Sequence, residues 1–199
     1  MPVNDSSVAG FLAPAANPAP LEGQQLLDFI QAWFVGICGL AGNMVRPRWQ
    51  AEPPDIPQAG NCWMAFGITN RESDQYPYVE HEPNGSDALQ RHERLDILTS
   101  FYDTGVTGLA DQYASLLRDG TAIAQNREYL VVKGMGLVKA GNLLSVPSLL
   151  KARWLYRVDL EIVLRRQIDR TYPVLDLVAA SGDVYTDTGL PPQPFEVGE

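Results

Sequence analysis

Residues 151–166, KARWLYRVDLEIVLRR, alternate in polarity with almost no interruption. Ala152, Trp154, Tyr156, Val158, Leu160, Ile162 and Leu164 fall on one side. Lys151, Arg153, Arg157, Asp159, Glu161 and Arg165 fall on the other, with only Leu155 and Val163 out of step. Successive side chains of a strand point to opposite faces, so the pattern predicts one β-strand with an apolar and a charged face. The aromatic and β-branched residues favour strand over helix as well. At ~3.3 Å per residue the strand would run roughly 45 Å, well beyond the usual length of about five or six residues. Either it bends, or part of its length is covered from outside the domain, and the second option points to an assembly. Trp154, Tyr156, Val158, Leu160 and Ile162 are the expected core residues of this strand.

Around that strand, 199 residues with 45% apolar content suffice for one core with extended ends. No run approaches the ~20 apolar residues of a membrane span, and neither a membrane partner nor a signal peptide is expected. Cys38 and Cys62 are the two cysteines, too few for a disulfide framework, and read as buried small hydrophobes in a reducing compartment. The formal net charge of −9 argues against a protein that grips nucleic acid, because that affinity comes from neutralising phosphates.

Helical periodicity starts at Leu21, with Leu26, Leu27, Ile30, Trp33, Phe34 and Ile37 forming one apolar stripe that should end near Gly39. The proline-broken segment that follows predicts extended loop, and strand character returns at Asn61 to Thr69. Residues 70–90 read as a polar loop, in which Asn84-Gly85 is a hairpin signal for strands on either side. A strand is expected from about Arg91 to Tyr102, a helix over Gly105 to Asp119, a short helix around Ala122 to Val132, and strands at Leu137 to Leu143 and Val174 to Ala180. The fold class is therefore α+β, a mixed, mainly antiparallel sheet flanked by helices. Residues 1–20 and 186–199, rich in proline and small or polar residues, are expected to be flexible arms around a single domain over 21–185. Phe11, Leu12 and Phe195 in the arms, with Tyr76 and Tyr78 in the polar stretch, are candidate partner contacts.

The residue types of catalysis are present but scattered. His81 and His92 lack the further ligands that a zinc site needs. Cys62 and His92 on adjacent strands would form a nucleophile pair without an orienting third group. Gly134-Met135-Gly136 lacks the remaining positions of a phosphate-binding loop. Asp159 and Glu161 share a strand face as carboxylates of a metal-dependent hydrolase or nuclease do, which makes that enzyme the alternative reading. No cofactor and no metal are expected. The mixed-sign face carrying Arg153, Arg157, Asp159, Glu161 and Arg165 reads either as a contact between subunits or as a solvated sheet face.

The order of segments supplies what single motifs do not. An N-terminal helix precedes RPRW at 46–49, a strand and a polar insertion; RLDILTSFYDTG, GLADQYASLLRDG and QNREYLVVKGMGLV then lead through Asn142-Leu143-Leu144 into RWLYRVDLEIVLR. This succession, over about Leu21 to Ala180, resembles the neck or tail terminator proteins of long-tailed bacteriophages, particularly those with contractile tails. The resemblance implies a structural virion protein of the tail or neck, assembled in the host cytoplasm, and not an enzyme. It implies a hexameric homo-oligomeric ring that caps the tail tube and meets tube, sheath and head-completion or collar proteins. DNA would pass through the lumen as non-specific cargo, and an acidic wall would disfavour its adsorption. The leader of about twenty residues and the insertion at 70–90 depart from the family pattern.

Overall fold

A computed structural model describes residues 5–7, 9–15, 20–52, 54–57, 60–83, 85–105, 107–150, 153–176, 179–184, 191 and 193–198. The chain forms two compact units, Pro20–Pro77 with Arg91–Ile168, and Met1–Ala19 with Tyr78–Gln90 and Asp169–Glu199.

In the larger unit, α1 spans Gly23–Cys38 and buries Leu26, Ile30, Trp33, Phe34 and Cys38, the predicted stripe. It ends at Gly39, whose φ of 72° closes the last turn with an N–H donated to the Val35 carbonyl. A left-handed residue at this position favours glycine because it has no Cβ to clash. After a short 3-10 turn come β1 (Val45–Pro47) and β2 (Cys62–Ser73), then the long β4 (Ser86–Asp103) that follows β3 (Tyr78–Glu82). Next are α2 (Leu109–Thr121), α3 (Ala124–Val131), β5 (Met135–Ser145), β6 (Ser148–Leu150) and β7 (Arg153–Tyr172).

The sheet order is β1-β2-β4-β7-β5, with β6 also paired to β7. β1 runs parallel to β2, whereas β2–β4, β5–β7 and β6–β7 are antiparallel. Across β4 and β7, Glu93 meets Arg166, Thr99 meets Leu160 and Ser100 meets Asp159, so these neighbours also run in opposite senses. One sheet face carries Met64, Phe66, Leu95, Ile97, Phe101, Val158, Leu160, Ile162 and Leu164 and packs with the helix residues into a single core. Phe34 of α1 meets Phe66 of β2 edge-on, with ring centroids 5.3 Å apart. The Trp33 indole N–H donates to the Asn126 carbonyl at 2.7 Å, tying α1 to α3.

β7 is one continuous 20-residue strand, longer than its alternating segment. β4 lies on one side of it, and β5 and β6 pair along 153–166 on the other. Val158, Leu160 and Ile162 are fully buried, and Tyr156 packs partly buried against the same core. The side chains of Trp154 and Arg153 lie outside the described residues.

Three sequence expectations are corrected. The stretch 70–90 is not a loop: β2 continues to Ser73, and β3 pairs with the start of β4 from Tyr78↔Gln90 to Glu82↔Ser86. The whole of β3 is exposed, so it has no buried face to write an apolar alternation into its sequence. The alternation is also broken at Thr69, where a bulge between Ile68 and Asn70 shifts the register with β4. Second, the proline-broken segment after α1 contains β1. Third, the final strands are β8 (Ala179–Val184) and β9 (Gln193–Gly198), paired antiparallel, instead of a strand over 174–180.

In the smaller unit, Gly85, at φ 76°, closes the hairpin between β3 and β4. The His81 ring bridges two carboxylates there, with Nδ1 2.6 Å from Asp87 and Nε2 bonded to Asp176. Hydrogen bonds that the ring donates to Asp87, then to Asp176, push its pKa up. The Ser6 and Ala15 N–H groups donate to the Pro173 and Thr171 carbonyls.

Candidate interface sites

The sheet face turned away from the helices is built from the alternate residues of the same strands. On β2 these are Trp63 and Ala65, on β4 Ser100 and Tyr102, and on β7 Arg157 and Asp159. Trp63 and Tyr102 are direct cross-strand partners, and their rings stack at 4.3 Å with 13° between planes. The Arg46 guanidinium lies 5.5 Å above Trp63, and that of Arg157 lies 5.9 Å from Tyr102. The four side chains form a cation–aromatic ladder across the sheet, each cation favoured by the negative face of a ring.

An ionic network continues from the ladder. Arg157 grips Asp159 with two N–H donors, Nε at 2.7 Å and Nη2 at 2.5 Å. The Ser100 hydroxyl also donates to Asp159, and Arg48 donates to Ser100. Asp159 is only 7% exposed. Burial pushes its carboxyl up, but Arg157, Ser100 and the nearby Arg48 charge outweigh that and hold it below the usual aspartate range. Glu161 is exposed and pairs with Lys139 on β5 at 3.2 Å. Arg165 is exposed and lines a groove of about 330 Å³ with Glu72, Asp74 and His92.

The structure thus brings Arg157 and Asp159 together, sends Glu161 to a different partner, and leaves Arg165 at a separate groove. It gives the hydrolase alternative no support. Asp159 is locked by an arginine and a hydroxyl, and no cluster of three metal-ligating side chains exists among the described residues. Cys62 sits opposite Asp103, at the far end of β4 from His92, and its thiol is pushed up to about 12 by burial first and then by Asp103 and Cys38. A thiol so disposed has little tendency to ionise.

Sequence reasoning missed Arg46, Arg48, Trp49 and Trp63. Arg46 and Arg48 flank Pro47 on and just after β1, where the chain crosses onto this face; the Arg48 N–H donates to the Phe66 carbonyl at 2.7 Å. RPRW was visible as a segment, but only the parallel β1–β2 pairing brings it beside Trp63. Trp49 has a φ of 59°, the left-handed region that a bulky residue rarely adopts, and is 74% exposed. Gly67 leaves room for it, since a Cβ there would lie 2.6 Å from the indole.

A second surface lies at the β5 edge of the sheet, where Val138 and Leu144 are more than half exposed and Val146 follows. Val131 and Val132 at the end of α3 are 67% and 78% exposed. Of the candidate partner contacts, Phe11 is 98% exposed, Tyr76 82% and Tyr78 59%, while Leu12 is half-buried. The side chain of Phe195 lies outside the described residues.

A comparison with curated proteins finds no match. A comparison with protein families matches residues 24–189, nearly the whole of both helical and sheet portions, to phage neck terminator protein. The chain belongs to the phage neck terminator protein family.

Proposed function

We propose that this structural neck protein works as a ring subunit that closes the tail tube and joins it to the head-completion proteins, with DNA passing through the lumen. Family membership supports the neck assignment. Self-association is supported by one observation above others, the β5 edge with its exposed Val138, Leu144 and Val146. A strand with no partner on its outer side among the described residues, beside apolar side chains, offers a template for another chain. A subunit whose edge meets a different surface of its neighbour makes a heterologous contact, which closes into a ring when the rotation allows. Within the mixed-sign strand face, Glu161 and Arg165 are the exposed members that a neighbouring copy would meet. Arg157 and Asp159 would stiffen the face behind them. Phe11, Tyr76 and Tyr78 would serve as contacts to other neck or tail proteins.

Mass measurement of the purified protein across a concentration series tests the reading. A closed oligomer is expected, and Leu144→Glu should shift it towards monomer while leaving the far-UV circular dichroism unchanged. A chain that stays monomeric at every concentration, and that is missing from tail-containing particles, would end the proposal.

A further inference from the structure

The groove beside the cation–aromatic ladder has the chemistry of a binding site. It encloses about 330 Å³ and is walled by Arg46, Arg48, Trp49, Pro54, Ile56 and Trp63. That volume is at the lower end for sites that take small ligands or single peptide side chains. Both cations in its wall lack a carboxylate partner of their own among the described residues. Arg46 donates to the carbonyls of Asn43, Pro54 and Asp55, at 2.8, 3.5 and 2.7 Å. Arg48 donates to the Ser100 hydroxyl, and the Asp159 charge beyond that hydroxyl is already taken by Arg157.

Two side chains of this wall each carry a buried donor, Arg48 Nε–H and Trp63 Nε1–H, with no acceptor among the described residues. Unmatched buried donors are costly, and an incoming acceptor relieves them. Trp49 lines the groove from a backbone conformation that costs energy, a kind of strain that concentrates at ligand clamps. Tryptophan and arginine are also the residues that dominate protein–protein contacts.

We infer that this groove captures an acidic peptide segment of a partner protein. One carboxylate accepts from Arg48 and Trp63 under the Arg46 charge, and a neighbouring apolar side chain sits between Trp49, Pro54 and Ile56. Charge-assisted bonds of this type are among the stronger ones. A nucleic acid is the poorer occupant: a chain with a net charge of −9 repels a polyanion, whereas a single carboxylate meets only the local cations. The inference goes beyond ring assembly and does not depend on it, because the groove is formed within one chain.

Indole N–H signals in an NMR titration of the full-length protein test it. The chain has four tryptophans, so each signal can be assigned by single Trp→Phe replacements. The probe is a blocked pentapeptide containing glutamate, proline and leucine, compared with its glutamine counterpart and with a short oligothymidylate. The Trp63 signal is expected to move saturably with the glutamate peptide, which should bind about tenfold more tightly than the glutamine one. The Trp33 signal, held by its bond to Asn126, should stay in place and reports the fold. Arg48→Gln and Arg46→Gln should each weaken binding by about tenfold; the second leaves the Ser100 bond intact, so a folding defect in the first cannot mask the result. No movement up to millimolar peptide, equal binding of the glutamine peptide, or tighter binding of the oligothymidylate would overturn it. All comparisons are made at one protein concentration, so oligomeric state is the same in each.

Discussion

Breaking the buried ion pair between Glu93 and Arg166 should be among the most damaging single changes, and breaking both halves should hurt less than breaking either. Arg166 Nε lies 2.5 Å from Glu93 Oε2, and the side chains are 2% and 9% exposed. Arg166 also donates to the Leu21 carbonyl, just ahead of α1. Charges about 4 Å apart attract by roughly 4 kcal/mol at an effective dielectric of about 20. Removing one partner forfeits that and strands the other charge, so Glu93→Met or Arg166→Met should each cost ~3–5 kcal/mol. The double variant replaces the pair with apolar volume, which by itself is often close to neutral. It still loses the bond to Leu21, a charged–neutral bond worth about 1.5–3 kcal/mol, so its net cost should be of that order. Urea unfolding followed by circular dichroism gives the three values. Hydrogen exchange separates the two roles of Arg166: the first-turn amides of α1 should exchange faster in Arg166→Met than in Glu93→Met. Single costs below about 1 kcal/mol, or a double cost equal to their sum within ~0.5 kcal/mol, would refute the reasoning.

Three further outcomes are expected. The Asp103 carboxylate accepts from the N–H groups of Gly105, Thr107 and Leu109 and so organises the start of α2; Asp103→Ala should cost about 1–2 kcal/mol. Burial pushes that carboxyl up but these donors outweigh it and hold its pKa low, so its contribution is present above about 3.9 and disappears as pH falls through the depressed folded value, read from acid unfolding of the wild type against the variant. Gly120→Ala would put a Cβ 2.3 Å from Ile37 Cγ2; the β-branched Ile37 has little freedom to swing aside, so the ~1 kcal/mol of helix propensity gained should be outweighed by overpacking of about 1–3 kcal/mol, and a stabilised variant would contradict this. The raised pKa of His81 means its bridge between Asp87 and Asp176 holds fully below about 6.5 and is lost as pH rises through the raised value; the His81 ring signals followed by NMR should titrate above the free value, and should fall back towards it in Asp87→Asn.

Periodicity alone determined α1, α2 and the apolar face of β7, because burial of one stripe or one side is written directly into the spacing of Leu26, Ile30 and Phe34, or of Val158, Leu160 and Ile162. The α+β class followed from the order of those segments, and that same order carried the family resemblance. What periodicity could not report was β3, the extension of β2 and the short β1. Their residues are polar or few, and their strand state depends on hydrogen bonds to a partner strand far along the chain. The alternation of β7 likewise exposed a charged face without saying what meets it. Tertiary structure decided that Asp159 is buried under Arg157 and Ser100 while Glu161 and Arg165 remain outside. The groove is the clearest case. Arg46, Arg48 and Trp49 lie some fifteen residues before Trp63 and over fifty before Tyr102, and pairing of β1 with β2 and β2 with β4 brings them onto one face. Register across strands is a collective outcome of packing and backbone bonding, so no local reading of the chain contains it.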